Sequence, residues 1–271
     1  MSKPVVILSA FDNLRSQDVR FIEEASKSGE VTILVHPDET IRTLTGKEPQ
    51  FPLEERLYML RALRFAASAV PVHTAAGGNF LPQSRDWSGW VWVDKPGAFN
   101  ESRSQFCEAH GLEYQLLAES QIEGFPEQRP EPKSGRKRVV VTGCFDWLHS
   151  GHVRFFEEVS SYGELTVIIG HDANIQLLKG KGHPLLPQEE RRYMVGSIRY
   201  VTEALISSGE GWLDADPEIQ RIKPDIYAVN EDGDRGGKRA YCAERGIEYL
   251  VLKRVPARGL PQRSSTELRG F

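Results

Sequence analysis

Residues 139–169 read VVVTGCFDWLHSGHVRFFEEVSSYGELTVII, and residues 5–35 read VVILSAFDNLRSQDVRFIEEASKSGEVTILV. Fifteen of these 31 aligned positions are identical, at an offset of 134 residues. Two further matches follow at an offset of 135: residues 52–65 with 187–200, and residues 106–117 with 241–252. Three matches in the same order along the chain indicate a tandem duplication of one domain.

The segment between the two copies, residues 126–137, contains three prolines and no large apolar side chain. Such a composition does not contribute to a hydrophobic core and is typical of an extended linker. We therefore predict one domain at residues 1–125 and a second at residues 138–271. A length of 271 residues also suggests roughly two domains.

Within each copy, short apolar segments alternate with amphipathic ones. In the second copy, residues 139–142 are apolar, Val153, Phe156 and Val159 follow with helical spacing, and residues 165–170 are apolar again. Such apolar strands, alternating with helices, are typical of a parallel sheet that is covered on both faces. The predicted fold class is α/β, with two tandem doubly wound, Rossmann-like domains that bind ligands at the carboxyl ends of their strands.

The composition excludes several classes of function. With 34 Lys and Arg against 38 Asp and Glu, the net charge of −4 lacks the broad positive field of nucleic-acid-binding proteins. The apolar runs are far shorter than the ~20 residues that cross a bilayer, so we expect no membrane insertion. Three cysteines form no disulfide framework, and the N-terminus does not resemble a signal peptide, so we expect a cytoplasmic protein.

The turn after the first strand of the second copy carries two histidines. His149 and His152 are three residues apart in the first turn of a predicted helix, so they face the same side. The positive end of a helix attracts anions, and Gly143 allows the backbone to approach a ligand closely. Imidazoles placed there can donate to phosphate oxygens and stabilise charge in a transition state. The alternative is a pair of surface or zinc-binding histidines, but no Cys/His cluster in the sequence supplies further zinc ligands.

The first copy keeps the framework of this segment and loses its polar residues. An aspartate at the position of His152 would repel an anion instead of binding it, so we expect the first domain to be catalytically inactive. The positions of His149, Gly151, His152 and Lys179 are occupied there by Arg15, Gln17, Asp18 and Thr45.

The sequence GCFDWLHSGH, residues 143–152, resembles the HxGH motif of the nucleotidyltransferase superfamily, whose members transfer a nucleoside monophosphate from a nucleoside triphosphate to a phosphate ester. The tandem layout and the helix ending in RYV resemble the ethanolamine-phosphate cytidylyltransferases, which implies a role in phospholipid precursor biosynthesis. Four further segments resemble those of the superfamily in order and spacing: LKGKG (178–182), EERRYMVGSIRYV (189–201), KPDIYAVNEDGD (223–234) and RSSTELR (263–269).

The resemblance implies that His149, His152 and Lys179 are catalytic, and that Mg²⁺ accompanies the triphosphate as the cofactor. No metal ligands of the protein are predicted. The residues implied to bind the nucleotide are Gly143, Cys144, Phe145, Asp146, Gly151, Lys181, Arg191, Arg263, Ser264, Ser265 and Thr266. Those implied to bind the acceptor are Asp146, Trp212, Glu231 and Asp232. A purely structural role stays open for Arg191, whose counterpart Arg56 persists in the inactive copy, and for Trp212.

We expect transfer of CMP from CTP to a small phosphomonoester, with release of pyrophosphate. The acidic pair Glu231–Asp232 suits phosphoethanolamine or phosphocholine, although glycerol 3-phosphate could also form hydrogen bonds there. One alternative is an adenylyltransferase that uses ATP and a sugar phosphate or FMN, since such enzymes share the motif. Another is a non-catalytic nucleotide sensor or scaffold. Resemblance to dimeric single-domain relatives further implies an internal pseudo-dimer of the two copies, so that the chain could be a monomer.

Overall fold

The computed structural model describes residues 3–72, 80–82, 85–127, 134–265 and 268. The chain divides into two compact units, Met1–Gly124 and Phe125–Phe271. Most of the predicted linker, residues 128–133, and the predicted site residue Thr266 lie outside the described residues.

The first unit alternates strands and helices along the chain. Its strand order is β3-β2-β1-β4-β5, and the neighbouring strands are parallel. The strands are β1 (Val5–Ser9), β2 (Val31–Val35), β3 (Ala66–Pro71), β4 (Val91–Asp94) and β5 (Glu113–Leu116). The helices are α1 (Ser16–Ser26), α2 (Asp38–Thr45), α3 (Leu53–Arg61), α4 (Glu101–Ala109) and α5 (Glu119–Ile122).

The second unit has the same succession of strands, and its sheet order, β8-β7-β6-β9-β10, corresponds strand for strand to that of the first. The strands are β6 (Arg138–Gly143), β7 (Glu164–Ile169), β8 (Glu203–Ile206), β9 (Ile226–Asn230) and β10 (Glu248–Leu252). The α-helices are α6 (Ser150–Ser160), α7 (Asp172–Lys179), α8 (Gln188–Gly196), α9 (Asp216–Ile222) and α10 (Lys238–Glu244). Two short 3₁₀ helices cover Gly211–Leu213 and Glu231–Gly233.

The prediction of an α/β fold with parallel sheets is confirmed in both units. The strand order is that of a Rossmann-like sheet, in which the chain winds outward in both directions from a central strand. In the second unit the two directions diverge between β6 and β9, which pair through Val139 and Ile226. Ligands of such sheets bind in the crevice at the carboxyl ends of these two strands.

The central strands lie in the core, which explains why they read as uninterrupted apolar runs. Val139 and Val140 of β6 have no exposed surface, as expected for a strand covered on both faces. On α6, the predicted apolar stripe of Val153, Phe156 and Val159 is fully buried. The helical spacing in the sequence therefore identified the face of α6 that packs on the sheet.

A buried arginine ties the loops of each unit together in the same way. Arg191 in α8 and Arg56 in α3 each donate to three backbone carbonyl oxygens and one aspartate carboxylate. The acceptors of Arg191 are Leu186 O, Cys144 O, Gly170 O and Asp172 Oδ1; those of Arg56 are the corresponding Phe51 O, Ala10 O, His36 O and Asp38 Oδ1.

No helix formed by the described residues combines the length and the hydrophobicity that a membrane span requires.

Candidate active site

A cleft of about 320 Å³ opens at the carboxyl ends of β6 and β9, where the fold places a ligand. Its volume is within the range of small-molecule sites. The predicted residues that line it are Gly143, Cys144, Phe145, Asp146, His149, Gly151, His152, Lys179, Asp232, Ser264 and Ser265. The residues that the sequence analysis missed are Thr142, Phe155, Ala228, Val229, Asn230, Gly233, Lys238 and Arg254.

The turn from β6 into α6 is tightly constrained. Phe145 has a left-handed φ of 50° although it is not glycine, and its ring is buried. A Cβ atom at Gly143 would lie 2.8 Å from that ring, so only glycine fits there without rearrangement. Phe11 in the first unit has a similar φ of 45°. The strained turn therefore belongs to the framework that both units keep.

His149 is the N-cap residue of α6, and this role orients its ring. Its Nδ1 accepts a hydrogen bond from the backbone N–H of Gly151 at 3.1 Å. The neutral ring must then carry its proton on Nε2, which is a donor. A Cβ atom at Gly151 would lie 3.0 Å from two atoms of the ring, so the glycine of the HxGH motif leaves the space that the ring occupies.

The two predicted histidines form a stacked pair, with ring centroids 3.9 Å apart and an interplanar angle of 25°. Burial, followed by the nearby charges of Arg254 and Lys179, lowers the pKa of His152 to about 3. Burial, His152 and Arg254 likewise lower the pKa of His149 well below its ordinary value. Both rings are therefore neutral near pH 7. His149 Nε2 and His152 Nδ1 are buried and make no hydrogen bond within the described part of the chain.

Lys179 brings a positive charge to the cleft. It is the last residue of α7, and its positive charge lies near the thiol of Cys144. Burial raises the pKa of that thiol, so Cys144 is not a thiolate nucleophile. Lys181, two residues further on, is exposed and does not line the cleft.

Asp146 is almost fully buried beneath the cleft, and its carboxylate has structural partners. Oδ1 accepts from the backbone N–H groups of Leu185 and Leu186, at 2.7 and 3.0 Å. Asp12 holds the equivalent segment of the first unit through Gln50 and Phe51. Asp146 therefore fixes the chain that follows Lys179, although it also borders the cleft.

Arg191, which the resemblance assigned to the nucleotide, is fully buried and does not line the cleft. Its guanidinium is directed at the three carbonyl oxygens and the aspartate named above. Arg191 holds the backbone carbonyl of Cys144 and thereby positions a residue that lines the cleft. The sequence had left a purely structural role open for Arg191, because the inactive copy also has an arginine, Arg56, at this position. The contacts of Arg191 are those of such a structural role.

The C-terminal segment contributes two of its predicted residues. Ser264 and Ser265 line the cleft, and Ser265 Oγ donates to Trp147 O at 3.3 Å. Arg263 lines a narrow recess beside the cleft instead.

Two of the four predicted acceptor residues, Asp146 and Asp232, line the cleft, whereas Glu231 and Trp212 do not. Asp232 lines the cleft, but its carboxylate accepts from Arg254 Nη1 at 2.6 Å. Glu231 accepts from the backbone N–H of Arg254 and is not part of the lining. Trp212 is 55% exposed, packs near Gly237 and also lies outside the lining. Because Asp232 is paired with Arg254, its carboxylate does not present an uncompensated negative charge to an acceptor amine.

The described residues do not form a site in which the protein itself would hold Mg²⁺. Among the described residues, no group of three His, Cys, Asp or Glu side chains could hold a metal ion. The two carboxylates at the cleft, Asp146 and Asp232, already accept hydrogen bonds from the protein. Mg²⁺ commonly binds through substrate phosphates and few protein ligands, so it would enter as part of the nucleotide substrate.

A sequence profile of the cytidylyltransferase-like family matches residues 140–269. A FAD synthase of Methanocella arvoryzae is 35% identical over 136 residues, which cover 49% of this chain and 93% of that protein. The chain belongs to the cytidylyltransferase-like family. A FAD synthase of Ferroglobus placidus is 38% identical over 43% of this chain and 75% of that protein. The bifunctional protein HldE of Aliarcobacter butzleri is 35% identical over 61% of this chain and 35% of that protein.

These relatives overturn the predicted nucleotide of this cytidylyltransferase-like protein. FAD contains an adenylyl group, whereas a CTP-dependent enzyme would transfer a cytidylyl group. The expectation of CTP, of a phosphoethanolamine-type acceptor and of phospholipid precursor biosynthesis was therefore wrong. The motif itself, GCFDxxHxGH, does not distinguish the two nucleotides, and the helix ending in RYV does not decide between them.

Proposed function

We propose that the second unit is an ATP-dependent adenylyltransferase that transfers AMP to the phosphate of FMN or a closely related flavin phosphate. The observation that carries the proposal is the stacked pair His149–His152, which lines the cleft of a protein similar to FAD synthases and has two buried ring nitrogens without a hydrogen bond among the described residues. Adenylyl transfer was the alternative left open by the sequence, and the relatives favour it.

The reaction is a single in-line displacement. An oxygen of the acceptor phosphate attacks the α-phosphorus of ATP, the new P–O bond forms, and the bond to the β-phosphate oxygen breaks, so that pyrophosphate leaves. Such transfers need positioning and charge stabilisation more than covalent chemistry. No thiolate is required of Cys144, in keeping with its raised pKa.

The histidines act at the α-phosphate. His149 presents Nε2–H as a neutral donor, because its Nδ1 is occupied by the N–H of Gly151. The start of α6 adds the partial positive charge of a helix N-terminus. A donor that is already oriented needs no rearrangement as negative charge develops, and removing one such donor typically costs about 100- to 1,000-fold in kcat.

Lys179 and the C-terminal serines act on the departing phosphates. Lys179 neutralises the β- and γ-phosphates, and Ser264 and Ser265 line the part of the cleft formed by the C-terminal segment. Thr266 and Arg263 are proposed to extend this contact. Mg²⁺ bound to the triphosphate would add to the neutralisation of its charge.

Exposed apolar side chains near the cleft support a flavin acceptor over a sugar phosphate. Leu178 precedes Lys179, Leu185 is tied to Asp146, and Trp212 packs beside Gly237, which precedes Lys238 of the lining. These three side chains are 53, 50 and 55% exposed. Apolar groups left exposed around a cleft are suited to a flat aromatic ring.

The first unit is proposed to be an inactive duplicate of the second. Asp18, at the position of His152, caps α1 by accepting from the backbone N–H of Arg15 at 2.8 Å. It also forms an ion pair with Lys95, whose ammonium lies 5.6 Å from the ring of Phe11. An internal ion pair thus takes the place of the histidine pair and its free nitrogens.

The proposal is tested by incubating the full chain with FMN, Mg²⁺ and ATP and separating the flavins by chromatography. We expect FAD and pyrophosphate in equal amounts. His152→Ala should abolish turnover, while Asp18→Ala in the first unit should leave it unchanged. Binding of ATP without product from FMN or from any phosphomonoester would reject an enzyme and favour a nucleotide sensor.

A further inference from the structure

Trp212 is held beside the cleft by residues that do not line it. It belongs to the short 3₁₀ helix Gly211–Leu213, and 55% of its surface is exposed. A Cβ atom at Gly237 would lie 3.1 Å from Cη2 of its ring, and Gly237 directly precedes Lys238 of the cleft lining. The φ of Gly237 is −79°, so glycine is needed there for the ring and not for the backbone. An exposed indole that is fixed at one edge is suited to stack against a flat ring.

The side-chain amide of Asn174 binds both backbone groups of the residue before Trp212. Nδ2 donates to Gly211 O at 3.0 Å, and Oδ1 accepts from the N–H of Gly211 at 2.8 Å. Asn174 is 2% exposed, so little water competes for these two bonds. Gly211 has a left-handed φ of 80°, and the chain therefore turns sharply where it is held. The direction in which Trp212 leaves the backbone is thus set by Asn174.

His171 holds the beginning of the same loop. It is the N-cap residue of α7, and its Nδ1 accepts from the backbone N–H of Asn174 at 3.3 Å. The neutral ring then carries its proton on Nε2, which donates to Gly209 O at 2.9 Å. The first turn of α7 therefore binds the loop at two points, Gly209 and Gly211, directly before Trp212.

Helix α7 is also fixed by a contact that does not involve the amide of Asn174. Asp172, its first residue, accepts from the buried guanidinium of Arg191. At the other end of the helix, Lys179 brings its charge to the cleft. Loss of the amide should therefore release Trp212 and leave Lys179 in place.

In the first unit, neither position has a side chain that could make these contacts. The matching arginine–aspartate pairs align α2 with α7 without a gap. Thr40 then takes the place of Asn174, and Pro37 that of His171. A single hydroxyl cannot span the N–H and the carbonyl of one residue as an amide does, and proline has no side-chain donor. The two contacts thus belong to the unit with the histidine pair, whereas the buried arginine is common to both units.

We propose that Asn174 is a positioning residue, which holds Trp212 where its indole stacks against the flat ring of the acceptor. This inference rests on the proposed function, because it takes the acceptor to be a flavin phosphate. Asn174 is buried and does not line the cleft, so it touches no substrate. It acts through Trp212, and it therefore affects the binding of the acceptor and not that of the nucleotide.

The kinetic test uses Asn174→Ala and Asn174→Thr, which both remove the pairing with Gly211. The second variant keeps the side-chain volume and introduces the residue of the first unit, so it serves if the first does not fold. Both should raise the KM for FMN by about 5- to 10-fold, the scale of one aromatic stacking contact. The KM for ATP should stay within about twofold of the wild-type value, because Lys179 stays in place. Trp212→Ala should raise the KM for FMN as much, and adding Asn174→Ala to it should have no further effect.

Fluorine NMR of the full chain labelled with 5-fluorotryptophan tests the contact without turnover. The sequence contains five tryptophans, and Trp212→Phe identifies the resonance of Trp212. Asn174→Ala should shift or broaden this resonance, and FMN without ATP should shift it in the wild type. Ser208→Ala is the matched control, because Ser208 lies on the same loop but donates to Glu218 Oε1 at 2.7 Å. It should leave the Trp212 resonance and both KM values unchanged.

An unchanged Trp212 resonance in the Asn174 variants would overturn the proposal. An equal rise of the KM for FMN and for ATP would also overturn it, because it would indicate a general disturbance of the unit. So would a wild-type Trp212 resonance that FMN does not shift. Failure of the wild type to form FAD would reject the proposed transfer, whereas the resonance of Trp212 would still decide the role of Asn174.

Discussion

The backbone N–H of Gly151 lies 3.1 Å from Nδ1 of His149, and a methyl group on Gly151 would approach the same ring to 3.0 Å. The glycine of the HxGH motif is therefore needed for the ring and not for the backbone, since Gly151 sits within helix α6 without a positive φ.

Gly151→Ala should separate stability from activity. Gly151 lies in the first turn of α6, where alanine gains less over glycine than the ~1 kcal/mol of a helix interior, so the melting temperature should change little. The ring of His149 must move by a few tenths of an ångström, and kcat should fall by about 10-fold or more. Calorimetry and steady-state FAD formation measure the two effects. An unchanged kcat would show that the ring position does not matter.

The depressed pKa of His152 predicts how stability depends on pH. The unfolded chain binds a proton on this side chain below about pH 6.5, whereas the folded chain does so only near pH 3. Between these values the unfolded state carries more protons, so folding stability is present at pH 7 and is lost as the pH falls. The melting temperature of His152→Asn should therefore decline less than that of the wild type between pH 7 and pH 4.

The control for this pH experiment is His110→Asn, which changes an exposed histidine of the first unit. The melting temperature of this variant should fall between pH 7 and pH 4 as much as that of the wild type. If His152→Asn shows the same decline as the wild type, the folded protein does not keep the His152 ring neutral.

Asp232→Asn tests whether this residue recognises the acceptor. The carboxylate is paired with Arg254, so its charge is not available to an acceptor amine. The KM for FMN should stay within about twofold of the wild-type value, and the activity with phosphoethanolamine should not change. Any change should appear in the KM for ATP instead. A large rise in the KM for FMN alone would restore Asp232 as an acceptor residue.

Arg191 and Arg56 form a matched pair for testing the framework. A lysine at either position cannot reach three carbonyls and a carboxylate, and each buried carbonyl left without a donor costs about 1–3 kcal/mol. Arg191→Lys and Arg56→Lys should each lower the free energy of unfolding by about 3 kcal/mol. Only Arg191→Lys should also reduce adenylyl transfer, because Arg191 holds the backbone of Cys144. Equal effects on kcat would imply that the first unit takes part in catalysis.

The strands, the helices and the histidine pair were predictable because each rests on local patterns. Val153, Phe156 and Val159 repeat at helical spacing, and His149 and His152 are three residues apart, so their faces follow from helix geometry. The comparison of the two copies separated these histidines from the framework. Neither inference needed knowledge of distant contacts.

Arg254 and Asp232 were not predictable in the same way, because their roles depend on each other. In the sequence they are separated by 22 residues, and only the fold brings the loop after β9 against the chain after β10. The sequence made Asp232 a free carboxylate and gave Arg254 no role. The available signal was the charge reversal between Arg254 and Glu119, the residue at the same position of the first unit.

The choice of nucleotide depends on still finer contacts, and it is the central claim. The most direct measurement is the ratio of kcat/KM for ATP and CTP, with FMN as the acceptor and FAD or its cytidine analogue quantified as product. The account predicts a preference for ATP of at least about 100-fold. A ratio near one, or a preference for CTP, would contradict it.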